Sequence, residues 1–419
     1  MKKEHRSESF GVVWLIILLM ALANTFTAFA QVKQATVLVN GISCDLEQGI
    51  LKVEFVTPDV VRVQYTGENT FIGNGTDVCL PRAVDNPVRW VYTPNPDCYL
   101  LKSDSLIVRV DLSTASITYL DKEGGLLLQE DQNIPRISEK RVTKQVIYDE
   151  HSKHIEKTAD GDKEIKNVLR YDIIGHTWKY RINFKWQPLE ALYGWGAHME
   201  DYMNLRGKEL YLCQHNLKAM VSVLNSTAGY GLLFDAGCAM MFKDNSEGSF
   251  VELEAAKQID YYFMKGKTMD AVVANYRLLT GNSPMMPLYL FGYIQSKERY
   301  VSSDDLINTL KEYRQRQIPI DMIVQDWNYW PEGQWGDMSM NPKFYPDKRK
   351  LADEIHSLHV KLMISIWPNA MNCPQHEEFK RKGWLLSGTS VKGFFLLNEG
   401  NMGSNKATLD YFDYETGIY

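Results

Sequence analysis

From Gln31 to about Asn282 the chain alternates apolar and polar residues with a period of two, in short runs. LKVEFV places Leu51, Val53 and Phe55 on one face, and VVRVQY follows after Pro58-Asp59. SLIVRVDL and ASITYLD flank a short polar turn and predict a hairpin, closed by Asp121-Lys122-Glu123-Gly124. WKYRINFKW, LKAMVSVLN, GYGLLFD and QIDYYFM predict further strands. So many period-2 segments without long helical patterns predict an antiparallel β-sandwich over residues 31–283. The Lys-rich stretch from Glu139 to Lys166 predicts an insertion or a long loop.

After Pro284 the period changes. MPLYLFGY predicts a strand, and SSDDLINTLKEYRQRQ a serine-capped helix with Leu306, Leu310 and Tyr313 along one stripe. IPIDMIVQD is a second strand. PDKRKLADEIHSLHV is a helix burying Leu351, Ile355 and Leu358; KLMISIWP is a third strand, and HEEFKRKG begins another helix. Strand–helix–strand–helix–strand means parallel βαβ units, the start of a (β/α)8 barrel or of a doubly wound sheet. A barrel takes about 250 residues, and the residues after Met286 are about half of that. The expectation for 284–419 is therefore the first half of a (β/α)8 TIM barrel, incomplete in this chain.

Two strand ends carry unusual chemistry. The second strand delivers Asp326, Trp327, Tyr329 and Trp330, with Trp335 close behind, and the third ends at Trp367 before Pro368-Asn369. In a parallel barrel these ends form the functional mouth. A carboxylate can accept hydrogen bonds from two adjacent sugar hydroxyls while an indole covers the apolar face of the ring. Asp326, Trp327, Trp330 and Trp367 are thus candidate substrate-binding residues. The structural alternative is that Trp330 and Trp335 seal the top layer of the barrel. Asp337 and Asp347 are possible catalytic partners for Asp326, because glycoside hydrolysis needs two carboxyl groups. Asp347, after Tyr345-Pro346, equally suits a helix cap.

Composition narrows the ligand class. The 419 residues carry a formal charge of -6, with no Lys/Arg block, so no nucleic-acid partner is expected. Neither a phosphate loop nor a dinucleotide fingerprint is present, and no cofactor or metal site is expected. His151 and His154 sit in a Lys-rich, solvated stretch. Lys2, Lys3 and Arg6, the apolar run Val12–Ala23 and Ala28-Phe29-Ala30 predict a cleaved secretory signal over 1–30. An uncleaved anchor is the alternative, although the run is short of the roughly 20 residues of a spanning helix. No second membrane segment follows, so the mature protein is expected in the periplasm or at the cell surface, without stable membrane insertion. Of the six cysteines, Cys79 and Cys98 are the expected pair if any oxidise.

Three weaker candidates remain. Gly194-Trp195-Gly196-Ala197-His198 is either a structural turn or a loop reaching the barrel mouth. Arg299 is expected to pair with a neighbouring carboxylate. Gly229-Tyr230-Gly231 marks close backbone packing.

DWNYWPEGQWGDMSMNPKFYPD, followed by KLMISIWP, strongly resembles glycoside hydrolase family 31, the α-glucosidase and α-xylosidase family. LYGWGAHMEDYMNLRGKELYL, STAGYGLLFD and YLFGYIQSKERY agree with it in the same order. The resemblance implies an N-terminal β-sandwich, a (β/α)8 catalytic barrel and C-terminal β-domains. It also implies removal of α-linked sugars from non-reducing ends with retention of configuration. Asp326 matches the family's substrate-binding acid, and Trp367 the aromatic lining the same subsite. SKERY together with YMNLRGKELYL looks most like the α-xylosidase-type members.

The resemblance also implies a departure. The family's nucleophile is an Asp ending the fourth barrel strand, and its acid/base an Asp after the sixth. DYFDYETGIY matches the start of the helix before the fourth strand, so both carboxylates are expected beyond Tyr419. Asp410 and Asp413 read as residues opening a helix. The expected function is an exo-acting retaining α-glycosidase releasing terminal xylose or glucose from oligosaccharides, in a chain that is inactive alone. The rival is a non-catalytic carbohydrate-binding or structural fragment. Oligomeric state has no readable signature.

Overall fold

The computed structural model describes residues 31–71, 78–80, 87–158, 161–213, 218–334, 337–366, 374–382, 385–386 and 411–412. The proposed signal at 1–30, Trp335, Trp367, Cys373, Asp410 and Asp413 lie outside the described residues. Two compact units divide the chain: 1–141 with 176–282, and 142–175 with 283–419.

The first unit is a sandwich of two antiparallel sheets. One has eight strands, in the spatial order Val32–Val37, Gly41–Leu46, Ile50–Thr57, Val60–Thr66, Ile259–Lys265, Tyr230–Phe234, Ala219–Ser226 and Leu192–Ala197. The other runs Glu209–Leu212, Met240–Asn245, Gly248–Ala256, Val168–Lys185, Leu126–Glu130, Ile117–Asp121, Leu106–Asp111, Cys98–Ser103 and Trp90–Pro94, with Arg136–Tyr148 also on Val168–Lys185. Strand period decides the interior: Leu51, Val53 and Phe55 bury together on alternate positions, as do Leu106, Val108 and Val110. Tyr119 stacks on Phe263 at 3.9 Å between ring centroids, joining the two sheets.

Three elements differ from the expectations. The stretch from Glu139 to Lys166 is no loose loop: Arg136–Tyr148 and Val168–Lys185 form a ribbon, and His154–Thr158 pairs with Gly161–Ile165. The β-branched residues of RVTKQVIY and VLRYDII favour strands despite the charge between them. A helix, Met269–Thr280, lies inside the period-2 region; Thr268 caps it, and it buries Val272 and Leu279. The period-2 reading missed it, although Thr268 before it and Gly281 after it are local helix signals. Neither Cys79 nor Cys98 forms a disulfide, so the expected pair is not made. Cys79 packs with Val60, Tyr262 and Met264, whereas the Cys98 sulfur accepts from Asn95 Nδ2 at 3.9 Å, so the two have different surroundings.

In the second unit three parallel strands, Ile294–Gln295, Met322–Gln325 and Lys361–Ile364, form one sheet in that order. Helices Ser303–Gln315 and Lys348–Ser357 connect them. This is the opening of a barrel, and among the described residues the sheet does not close. The first strand is shorter than expected, because Leu288–Phe291 forms a 3₁₀ turn after Pro287. Leu306, Leu310, Leu351 and Ile355 bury against Ile323, as the helical stripes required. Tyr411–Phe412 is extended rather than helical, paired with Leu385–Leu386. Among the described residues no helix is long and apolar enough to cross a membrane.

Candidate functional site

The strand Met322–Gln325 is wholly buried, and its last residue anchors the loop beyond it. Gln325 Nε2 donates to the Tyr300 carbonyl and to the Asp326 carbonyl, each at 3.1 Å. The Tyr345 hydroxyl sits 2.6 Å from the same Tyr300 carbonyl and 3.2 Å from Gln325 Oε1. Burial, with the charge of Asp305, pushes Tyr345 up to about 12, so this hydroxyl keeps its proton at neutral pH. The buried knot fixes the end of the second strand to the segment following the first.

Asp326 emerges from that knot half-buried. Its Oδ1 accepts the Trp327 backbone N–H at 2.7 Å. Among the described residues no cation and no side-chain donor pairs with it, so most of its hydrogen-bonding capacity is open. Asn328 comes next with φ 57, a left-handed turn that asparagine tolerates better than most residues, and it is exposed. Trp327 is half-buried beside the acid. Arg299 Cζ stands 5.2 Å from the centroid of the Trp327 ring. Among the described residues Arg299 has no ion pair, so an aromatic face takes the place of the expected carboxylate.

The next two aromatics belong to the core. Tyr329 and Trp330 are 3 % and 4 % exposed and pack edge to face at 5.3 Å within the barrel-strand core. Burial, with Asp337 nearby, raises the Tyr329 pKa. Asn341 N–H donates to the Tyr329 carbonyl at 2.8 Å and closes the loop.

Each acid considered as a partner holds local structure through one oxygen, and among the described residues Asp337 Oδ2 is buried without a hydrogen-bond partner. Asp337 is buried; its Oδ1 accepts from Ser339 N–H at 2.7 Å and from Gln375 Nε2 at 3.2 Å. Asp347 caps helix Lys348–Ser357 by accepting from Lys350 N–H at 2.8 Å. Sequence reasoning missed Gln325, Tyr300 and Tyr345. Their only signal was a glutamine ending an apolar strand, and nothing in the spacing linked it to the two tyrosines.

In the sandwich unit, Trp195 is buried at φ 60 between Gly194 and Gly196, both at positive φ. A Cβ on Gly196 would come within 1.8 Å of the Ala219 carbonyl oxygen, which explains the glycine. His198 Nε2 lies 3.3 Å from the Gly194 carbonyl, and Glu200 pairs with Lys218 at 2.9 Å. Gly194, Gly196, His198 and Glu200 border an open cleft of about 400 Å³ that also takes in Tyr193, Tyr202 and Met203. A Cβ on Gly231 would meet Val272 Cγ1 at 2.4 Å, the close packing expected there. Among the described residues no cluster of three His, Cys, Asp or Glu is placed to hold a metal ion.

An antiparallel sandwich followed by parallel βαβ units defines a two-part architecture of a β-sandwich and the opening of a barrel. Residues 50–236 match the Glycosyl hydrolase 31 N-terminal galactose mutarotase-like domain, and residues 283–417 match the Glycosyl hydrolases family 31 TIM-barrel domain. The chain belongs to glycoside hydrolase family 31. An alpha-xylosidase of Saccharolobus solfataricus is 27% identical over 394 residues, 88% of this chain and 48% of that protein. An uncharacterized family 31 glucosidase of Pseudescherichia vulneris is 30% identical over 224 residues, 52% of this chain and 41% of that protein. A solved family 31 alpha-xylosidase from a soil metagenome, complexed with xylose, superposes with a TM-score of 0.67 at 23% identity. That superposition covers 84% of this chain and 50% of the other, and shows the shared fold. The chain spans about half the length, or less, of these relatives.

Proposed function

We propose that this chain supplies a terminal-sugar subsite of an exo-acting, retaining α-glycosidase that releases xylose or glucose from non-reducing ends of oligosaccharides. One observation carries the reading: the Asp326 carboxylate follows the end of a parallel strand, held among the described residues by a single backbone N–H and otherwise open, beside the half-buried Trp327. Asp326 accepts hydroxyl hydrogens of the terminal sugar, and Trp327 covers an apolar ring face. Trp367 belongs to the same subsite by its place after the third strand. Trp330 contributes from the layer beneath, as support for the loop. Glucosidase and xylosidase names among the relatives support the α-linked pentose or hexose class.

The domain assignment that goes with this function is a signal at 1–30, a sandwich over 31–283 and barrel strands over 284–419. Export to the periplasm or cell surface suits an oligosaccharide substrate. Retaining hydrolysis proceeds in two steps. A carboxylate bonds to the anomeric carbon as the glycosidic C–O bond breaks and an acid protonates the leaving oxygen. Water then displaces the carboxylate, giving up its proton to the same acid's conjugate base. Neither role is assigned to a residue of this chain. Asp337 and Asp347 are held in their loop and cap, and Asp326 is assigned to binding.

Asp326→Asn tests the reading. Hydrogen bonds to a charged acceptor contribute about 1.5–3 kcal/mol each, so titration calorimetry with xylose and glucose should show affinity falling at least tenfold. Unchanged affinity for both sugars would reject the subsite.

A further inference from the structure

The face of the parallel sheet turned away from its helices changes character at one rung. Ile323 and Leu362 pack with the helices, so the period of two puts Met322, Val324 and Asp326 on the opposite face, with Lys361, Met363 and Ser365 beside them. Register pairs Met322 with Lys361 and Val324 with Met363. Asp326 and Ser365 come one step further on. The Ser365 N–H donates to the Gln325 carbonyl at 2.9 Å and holds the two strands together there. Below this rung the face is apolar, at Val324 and Met363; at the rung the chain offers a carboxylate and a hydroxyl. Ser365 is half-buried, and among the described residues its hydroxyl makes no hydrogen bond, while Asp326 accepts only the Trp327 N–H.

The two groups are complementary rather than redundant. A sugar hydroxyl is one donor with two acceptor lone pairs, and an ionised carboxylate can only accept. Asp326 therefore takes the hydrogen of such a hydroxyl and leaves its lone pairs unserved. A serine hydroxyl rotates to suit and can donate to them. The spacing fits one shared oxygen. Neighbouring strands lie about 4.8 Å apart, and two O–H···O bonds of about 2.7 Å meeting at a tetrahedral oxygen span about 4.5 Å. On the sugar-subsite reading, we infer that Ser365 is a further substrate-binding residue: one hydroxyl of the terminal sugar donates to Asp326 and accepts from Ser365. Such a rung reads a hydroxyl by its hydrogen and by its lone pair. It disfavours an analogue lacking that hydroxyl, because both protein groups then lose their partner.

Titration calorimetry on the intact protein, with xylose and its monodeoxy analogues, tests the shared hydroxyl. Ser365→Ala should weaken xylose binding about fivefold, the usual worth of one neutral hydrogen bond. One monodeoxy analogue should bind Ser365→Ala and the unaltered protein equally, and the same analogue should shrink the loss caused by Asp326→Asn. Ser365→Cys keeps the size of the side chain but only a weak donor, so it should bind xylose nearly as poorly as Ser365→Ala. If the alanine variant does not fold, the cysteine variant decides against the same analogues. A loss that persists with every analogue overturns the inference, since Ser365 would then act through the fold. An analogue that silences the serine variant but leaves the Asp326→Asn loss whole overturns it too. Unchanged xylose affinity in Ser365→Ala, with Asp326→Asn weakened, overturns it while leaving the subsite standing. Unchanged affinity in both variants overturns the subsite and this inference with it.

Discussion

Buried acids in the sandwich and the acid at the second parallel strand end are treated in opposite ways. Glu130 is fully buried and is gripped by Arg136 at 2.5 and 2.7 Å, by the Ile117 N–H at 2.9 Å and by the Tyr261 hydroxyl at 3.0 Å. Asp260 takes two bonds from Arg62, at 2.9 and 2.6 Å, and one from Gln64 at 2.9 Å. Among the described residues Asp326 accepts only a neighbour's N–H. A carboxylate removed from water needs partners to remain in the fold. One left half-exposed and under-satisfied is available to an outside ligand. Charge that is paired serves the fold, and charge that stays open is free for binding.

Breaking the sandwich side should have the largest effect. Arg136→Met leaves Glu130 buried without its cation, and such losses cost about 3–5 kcal/mol. Chemical denaturation should show the midpoint falling accordingly, whereas Asp326→Asn should shift stability by less than about 0.5 kcal/mol. Equal losses in the two variants would erase the contrast between the regions.

A pH series sharpens it. Burial pulls the Asp244 pKa up, but Ser249, the Gly207 N–H and Arg206 outweigh it and leave the value lowered. An aspartate in the unfolded chain titrates near about 3.9. The stabilisation from Asp244 is therefore complete above that pH and is lost as pH falls through the lower folded value. The Tm difference between the protein and Asp244→Asn should be wide at neutral pH and close on acidification below about pH 4. A constant difference would mean that Asp244 does not act through its charge.

The smallest expected effect tests the barrel strands. Asp347→Ala removes the cap of helix Lys348–Ser357, at a cost of about 1 kcal/mol. Hydrogen exchange should quicken in that helix first and leave the sandwich amides unchanged. Acceleration spread evenly over both units would contradict a local cap.

Much of the fold was legible because burial imposes a period. Leu51, Val53 and Phe55 announced a strand; Leu306 and Leu310 announced a helix. Asp347 was legible as a cap because capping is local chemistry. Asp326 stood out because an acid rarely ends an apolar run without a reason.

The tertiary structure decided the features that local pattern cannot carry. Trp327 and Trp330 are three residues apart and alike in sequence, yet one is half-buried beside the acid and the other is 4 % exposed in the core. The left-handed turn at Asn328 lies between them. The knot of Gln325, Tyr300 and Tyr345 joins residues that meet only once the sheet has formed. Arg299 found an indole instead of a carboxylate for the same reason. Period and capping are properties of neighbours along the chain, so the sequence determines them. Which charge is satisfied and which stays open depends on residues far apart in sequence, so folding alone settles it.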